Sequence, residues 1–162
     1  MLTGFQLRAA RAVLNLSGAK LGSAIETRIS NINKIEANTR NTDYIATKTR
    51  NTVLLKRFFE ENNIIFSDEY SITLKTEVIL VDPIKLTRFQ FRAGRVALRK
   101  TPQEFRELTG LSKNAFEHIE KKKNTEYIDV KSGKYSTFLR KIFNKNKVYF
   151  PDIYSVSLKS ST

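Results

Sequence analysis

The chain repeats itself at a constant spacing of 84 residues, and this repeat limits the folds that it can adopt. The segment LTGFQ at 2–6 returns as LTRFQ at 86–90, and identical residues continue without a gap as far as Leu74 and Leu158. Because the matches span nearly the whole chain of 162 residues, they indicate duplication of a complete domain. We therefore predict a first repeat at 1–76, a linker at 77–85 and a second repeat at 86–162.

Each repeat is predicted to be a bundle of four helices followed by a short β-hairpin. Apolar residues recur at helical spacing in eight segments. These predicted helices lie at about 3–15, 18–25, 28–37 and 50–62, and at 87–99, 102–109, 113–122 and 134–146. Two alternating stretches around turn residues predict hairpins within 64–74 and 148–158, and the apolar run at 78–81 could add a strand. The predicted fold class is mainly α.

The clearest local signal lies in the second repeat, in the stretch TPQEFRELTGLSKNAFEHIE at 101–120. Thr101 followed by Glu104 forms a capping-box pattern, and Pro102 occupies the first helical position, where its missing N–H has no cost. Phe105 and Leu108 then recur at helical spacing. This pattern predicts a short amphipathic helix.

A turn and a second helix follow directly. Gly110 supplies a residue that can adopt positive φ, and Leu111 can fill the space beneath the turn. Ser112 is a suitable N-cap for a helix whose buried face is Phe116 and Ile119. Helix, short turn with glycine and helix together make the helix-turn-helix pattern.

This stretch resembles the Cro/CI-like domains, the XRE class of lambda-repressor-like regulators of bacteria and phages. The residues that carry the resemblance are Thr101-x-x-Glu104-Phe105, Gly110-Leu111-Ser112 and Ile119-Glu120. It implies that the helix from Lys113 onward enters the major groove of DNA. It also implies that Arg95 pairs with Glu120, and that Arg11 pairs with Glu36 in the first repeat.

The same resemblance assigns candidate DNA contacts in the second repeat. Lys113, Asn114 and His118 stand at positions that reach base edges in this family, and Glu117 shares their outward face. Lysine can donate to guanine, and asparagine can bond adenine through two hydrogen bonds. The remaining candidates for contact with DNA are Thr101, Gln103, Ser112, Lys121, Lys122 and Lys123. An ordinary solvated helix face explains outward polar residues as well, so direct base contact is a hypothesis.

The first repeat departs from the family pattern. Glu26 stands where the turn glycine is expected, and Thr27 replaces the apolar plug. Its candidate DNA contacts are Arg28, Ser30, Asn31 and Lys34. The sequence leaves open whether this repeat binds DNA or a protein partner.

Charge and composition narrow the class of partner. The net charge is +13, and residues 81–162 contribute +10 of it, which favours an anionic partner for the second repeat. The chain has no Cys and a single His, so thiolate chemistry and a His-based metal cluster are excluded. We find no catalytic constellation and no Gly-rich phosphate loop, so we expect neither an enzyme nor a cofactor. With no membrane-length apolar run and no signal peptide, a cytoplasmic, nucleoid-associated protein is expected.

The sequence thus predicts a bacterial or phage transcriptional regulator that binds double-stranded DNA through its second repeat, and it leaves open whether the first repeat binds DNA as well. A homodimer is compatible with this prediction. One alternative is a DNA-binding antitoxin whose protein partner binds the first repeat or the hairpins. Another is a basic module that binds DNA through charge, without sequence preference.

Overall fold

The structure, a computed structural model, describes residues 1–27, 29–129 and 132–159. The fold of these residues is mainly helical, as predicted. The elements in chain order are α1 (Gly4–Val13), α2 (Gly18–Ala24), α3 (Ile29–Asn38), α4 (Thr49–Glu61), β1 (Ile64–Ile65), β2 (Ser71–Leu74), α5 (Arg88–Ala97), α6 (Pro102–Thr109), α7 (Lys113–Lys121), α8 (Lys134–Lys145) and β3 (Ser155–Ser157). The chain divides into two compact units, unit 1 (Met1–Lys75) and unit 2 (Thr76–Thr162).

The first helix of each unit begins with a capping box in which a glutamine takes the third helical position. In α1 the Gln6 N–H donates to the Thr3 hydroxyl at 3.3 Å, while the Thr3 N–H donates to the Gln6 side-chain oxygen at 3.1 Å. Thr87 and Gln90 repeat both bonds at the start of α5. These boxes satisfy N–H groups that a helix start otherwise leaves without partners.

The same two glutamines also fasten the end of each unit to its first helix. The buried Gln6 amide donates to the carbonyl of Ser71 at 3.0 Å, and the Gln90 amide donates to that of Ser155 at 3.3 Å. One side chain therefore caps a helix and holds a segment 65 residues away. Because a buried polar group needs partners, this double use explains how glutamine is accommodated in the core.

In unit 1 the predicted hairpin is present. Strands β1 and β2 pair antiparallel, with Ile64 opposite Leu74 and Ile65 opposite Thr73. Ile64 is fully buried, and the ring of Phe66 just after β1 packs edge-on against Phe59 of α4 at 5.9 Å between centroids. The hairpin is therefore stabilised by packing on α4, which a short isolated hairpin would lack.

In unit 2 the corresponding hairpin is reduced to one bridged pair. Tyr149 and Ser157 exchange two backbone hydrogen bonds of 2.8 and 2.9 Å, and strand β3 contains Ser157. The pair lies 84 residues beyond Ile65 and Thr73, so both units use the same register.

The two units differ by one residue in the loop that follows the third helix. In unit 1 the Ile45 N–H donates to the Leu2 carbonyl at 2.9 Å, and in unit 2 the Ile128 N–H donates to the Leu86 carbonyl at 2.9 Å. Ile45 and Ile128 are 83 residues apart, so the prediction of a repeat without a gap is wrong at this loop. Both isoleucines are buried. Burial of the side chain determines the alignment here, and residue identity does not reveal it.

The apolar run at 78–81 forms no strand, contrary to expectation. Its backbone is bound by side chains of unit 2 instead: the Leu80 N–H donates to the Tyr154 hydroxyl at 3.0 Å, and that hydroxyl donates to the Val78 carbonyl. Asp82, just beyond, donates its N–H to the Tyr127 hydroxyl at 2.8 Å. These hydrogen bonds replace strand pairing for this part of the predicted linker.

Candidate nucleic-acid interface

Helix α6 begins as its sequence predicts. The Glu104 N–H donates to the Thr101 hydroxyl at 3.2 Å, and the Thr101 N–H donates to the Glu104 carboxylate at 2.8 Å, with Pro102 at the first helical position. The hydrogen bond from the Thr101 N–H, followed by that of its side chain, lowers the pKa of the Glu104 carboxyl below its ordinary value. The side chain of Thr101 is thus engaged in a cap that is exposed at the surface.

The turn between α6 and α7 also agrees with the sequence. Gly110 adopts φ +68°, and its N–H donates to the Arg106 carbonyl at 2.8 Å. Leu111 lies buried beneath the turn, and the Ser112 hydroxyl accepts the Ala115 N–H at 3.1 Å at the start of α7. A short left-handed turn and a serine cap therefore set the direction of α7.

Aromatic packing holds α6 and α7 on the rest of unit 2. Phe105 of α6 lies 5.4 Å from Phe91 and 5.8 Å from Phe143, measured between ring centroids. Phe116 of α7 lies 5.7 Å from Phe91, and Ile119, three residues further along the same helix, is buried as well. Leu108, expected on the buried face, is 46% exposed. A rigid aromatic core thus presents the opposite face of α7 to solvent.

That outward face carries the predicted base-contacting residues. Lys113, Asn114, Glu117 and His118 are all exposed. Lys113 and Glu117 approach to 3.9 Å between charged atoms, with 72% and 48% of their side chains exposed. Such an exposed pair contributes only about 0–1 kcal/mol and can exchange for a bond to another anion.

Gln103 lies on the exposed surface of α6 and donates its side-chain amide to Glu107 at 3.0 Å. Lys121 and Lys123 are exposed at the end of α7, while Lys122 is half-buried. The structure therefore places the predicted residues of unit 2 along α6, the turn and α7.

Glu120 near the end of α7 is bound chiefly by a different arginine from the one predicted. The Arg92 guanidinium makes a close ion pair with the Glu120 carboxylate and donates a hydrogen bond through Nε. Arg95, the predicted partner, is 3.9 Å away between Nε and Oε1. Its guanidinium lies 5.9 Å above the Phe116 ring, a cation–π distance.

Arg88 completes this buried cationic cluster. Burial, followed by repulsion from Arg92, lowers the pKa of Arg88 to about 10, and its guanidinium donates to the side chain of Asn124. A group with this pKa remains protonated at neutral pH. Arg88 and Arg92 are both buried, and their bonds to Asn124 and Glu120 link α5 to the end of α7 and to the loop after it.

Unit 1 builds the same turn without glycine. Glu26 adopts φ +53° at the position that lies 84 residues before Gly110. Asn31 and Lys34 are exposed on α3, and both line an open cleft. Ser30 belongs to α3, although its side chain lies outside the described part, and Arg28 lies outside the described residues altogether. Lys48 and Arg50 line the same cleft, and no sequence motif had singled them out.

Among the residues that the structure describes, no group of three or more His, Asp or Glu side chains could hold a metal ion. None of the described helices combines the length and the apolar character that a membrane span requires.

Comparison with known proteins does not assign the chain to a family. No protein-family model, curated protein or solved structure matches the chain.

Proposed function

We propose that this protein is a DNA-binding regulator of the lambda-repressor-like, tandem helix-turn-helix type, and that α7 of unit 2 reads base edges in the major groove. The observation that carries the proposal is the outward face of α7. Lys113, Asn114 and His118 are exposed there, directly opposite the buried Phe116 and Ile119. A helix that is anchored on one side and polar on the other can enter a groove without exposing its core.

Charge supports the same proposal. The net charge of +13 attracts nucleic acid over a long range, and Lys121 and Lys123 are exposed at the end of α7, close to where a DNA backbone would pass. The caps at Thr101 and Ser112 define where α6 and α7 begin, which fixes the outward residues in register. We propose that occupancy of promoter DNA is the means of regulation.

Selection of bound sequences from a random duplex pool tests the proposal. The wild-type chain should enrich a defined motif, and Asn114→Ala should lose preference at one position of it, because a bidentate pair contributes about 1–3 kcal/mol of discrimination. Asn144→Ala, which changes an exposed asparagine on α8, is the matched control and should retain the full motif.

Non-specific binding is the second candidate, and the charge of the chain favours it. If no motif is enriched and affinity collapses as salt rises, the chain binds DNA through charge alone and the specific-regulator proposal is wrong. If Asn114→Ala and Asn144→Ala select the same motif as the wild type, Asn114 does not read a base.

A further inference from the structure

We propose that the cleft between α3 and the start of α4 in unit 1 is an anion site that takes a phosphate group. The cleft is open, has a volume of about 810 Å³ and is lined by three cationic side chains, Lys34, Lys48 and Arg50. This proposal concerns unit 1 alone and does not depend on DNA binding by unit 2.

The wall of the cleft is suited to a small oxyanion. Besides the three cations it contains side chains that can donate hydrogen bonds, among them Asn31 and Thr47. The Asn51 amide donates to the hydroxyls of Thr47 and Thr27 at 3.2 and 3.4 Å. Since each hydroxyl accepts from Asn51, its own hydrogen can be donated to a ligand.

The described lining residues of this cleft include no carboxylate. The acidic residue paired with one of its cations is Glu26, which stands 3.9 Å from Arg50. Both side chains are about four-fifths exposed, at 84% and 79%, so the pair is weak and a phosphate can displace it. The local charge therefore favours an anion brought from outside.

In unit 2 the corresponding cleft contains a carboxylate that belongs to the protein itself. That cleft, of about 440 Å³, lies between α7 and α8 and includes Asp129. The Asp129 carboxylate is buried and accepts the N–H groups of Tyr135 and Ser136 at 2.8 and 3.0 Å. Counted from the paired isoleucines Ile45 and Ile128, the position of Asp129 is Ala46 in unit 1.

The cationic residues that line the cleft also differ between the two units. At the spacing of 84 residues that relates the helices, Lys34 of α3 corresponds to His118 of α7, and Arg50 of α4 corresponds to Lys134 of α8. Among the described lining residues, the cleft of unit 2 includes the Asp129 carboxylate and one lysine, Lys134, whereas the cleft of unit 1 includes three cations and no carboxylate. The lining of the unit 1 cleft is therefore the more positively charged of the two, which favours a bound anion. In unit 1 the Asn51 and Thr52 N–H groups donate to the Lys48 carbonyl, so side chains would hold the phosphate.

Titration of the full chain with inorganic phosphate, followed by amide NMR at constant ionic strength, tests the site. In the wild type we expect saturable shifts confined to 31–35 and 46–51. The triple variant Lys34→Gln, Lys48→Gln, Arg50→Gln should bind phosphate about tenfold more weakly, because three charge-assisted contacts are lost. The matched control is Lys20→Gln, Arg40→Gln, Lys75→Gln, which removes the same charge from exposed positions of unit 1 and should bind as the wild type does.

Competition by duplex DNA and the salt dependence of DNA binding identify the source of the phosphate. If it belongs to DNA, duplex DNA will compete with inorganic phosphate, and the triple variant will lower the salt slope of DNA binding by roughly 0.9 per lost contact. If it belongs to a small molecule, the salt slope will be unchanged while the phosphate shifts are lost. Shifts spread over many lysines, or equal losses in the triple variant and its control, would overturn the site whether or not unit 2 binds DNA.

Discussion

Two hydrogen bonds of 2.6 Å join the guanidinium of Arg11 to the carboxylate of Glu36 and so link α1 to α3 in unit 1. The Glu36 side chain is only 11% exposed, and Arg11 also donates to the Leu16 carbonyl at 2.8 Å. The pair predicted from the resemblance is therefore present in this unit. Because it is partly buried, removing one partner leaves the other charge poorly solvated.

Glu36→Gln should lower the free energy of unfolding of unit 1 by about 1–3 kcal/mol, because Arg11 loses its counter-charge in a partly buried position. Urea denaturation measures the loss, and hydrogen exchange of α1 and α3 localises it. Glu61→Gln is the control, since it breaks the exposed pair with Arg57 and should cost less than about 1 kcal/mol. Equal losses in the two variants would contradict a structural role for the buried pair.

In unit 2, Arg92 rather than Arg95 should be coupled most strongly to Glu120. We expect a double-mutant cycle of Arg92→Met with Glu120→Gln to give the larger coupling free energy, because Arg92 makes the close contact and Arg95 stands 3.9 Å away. The cycle with Arg95→Met supplies the comparison. A larger coupling for Arg95 would mean that unit 2 uses the same pairing as unit 1 in solution.

The turns of the two units offer a pair of opposite substitutions. Glu26 adopts φ +53°, which is unfavourable for a residue with a Cβ, so Glu26→Gly should stabilise unit 1 by about 0.5–1 kcal/mol. Gly110→Ala should destabilise unit 2 by about 1 kcal/mol through backbone strain alone, because no atom lies within 4 Å of an added Cβ. Thermal or urea denaturation measures both. Stabilisation by Gly110→Ala would show that this turn is not left-handed in solution.

Phosphate contact at the end of α7 can be separated from base reading by its salt dependence. Lys121→Gln with Lys123→Gln should reduce the slope of log affinity against log salt by roughly 2, because each lost phosphate contact contributes about 0.9. The selected DNA motif should be unchanged, since phosphates carry no sequence information directly. Lys141→Gln with Lys145→Gln removes the same charge from exposed positions of α8. If this control lowers the slope equally, the end of α7 has no special contact with DNA.

Several features were predictable because they depend on neighbours within a few residues. The capping box at Thr101 and Glu104, the turn at Gly110 and the cap at Ser112 all form as their spacing indicates. The boxes at the starts of α1 and α5 follow the same rule, and the T-x-x-Q spacing at Thr3 and Thr87 would have revealed them.

Other features depend on packing between distant segments, and the pattern of residues did not reveal them. Arg92 and Arg95 lie three residues apart on α5, so both are within reach of Glu120, and packing alone selects between them. The cleft of unit 1 depends on α3 and the start of α4 meeting, which brings Lys34 close to Lys48 and Arg50.

By itself the sequence determined the mainly helical class, the starts of α6 and α7 and the outward face of α7, because capping and helical periodicity are local. Only the tertiary structure decided the one-residue shift between the loops, the double use of Gln6 and Gln90 and the loss of a strand at 78–81. In each of these cases the deciding interaction joins residues far apart in the chain. Its free energy depends on burial and on available hydrogen-bond partners, which exist only once the helices have packed.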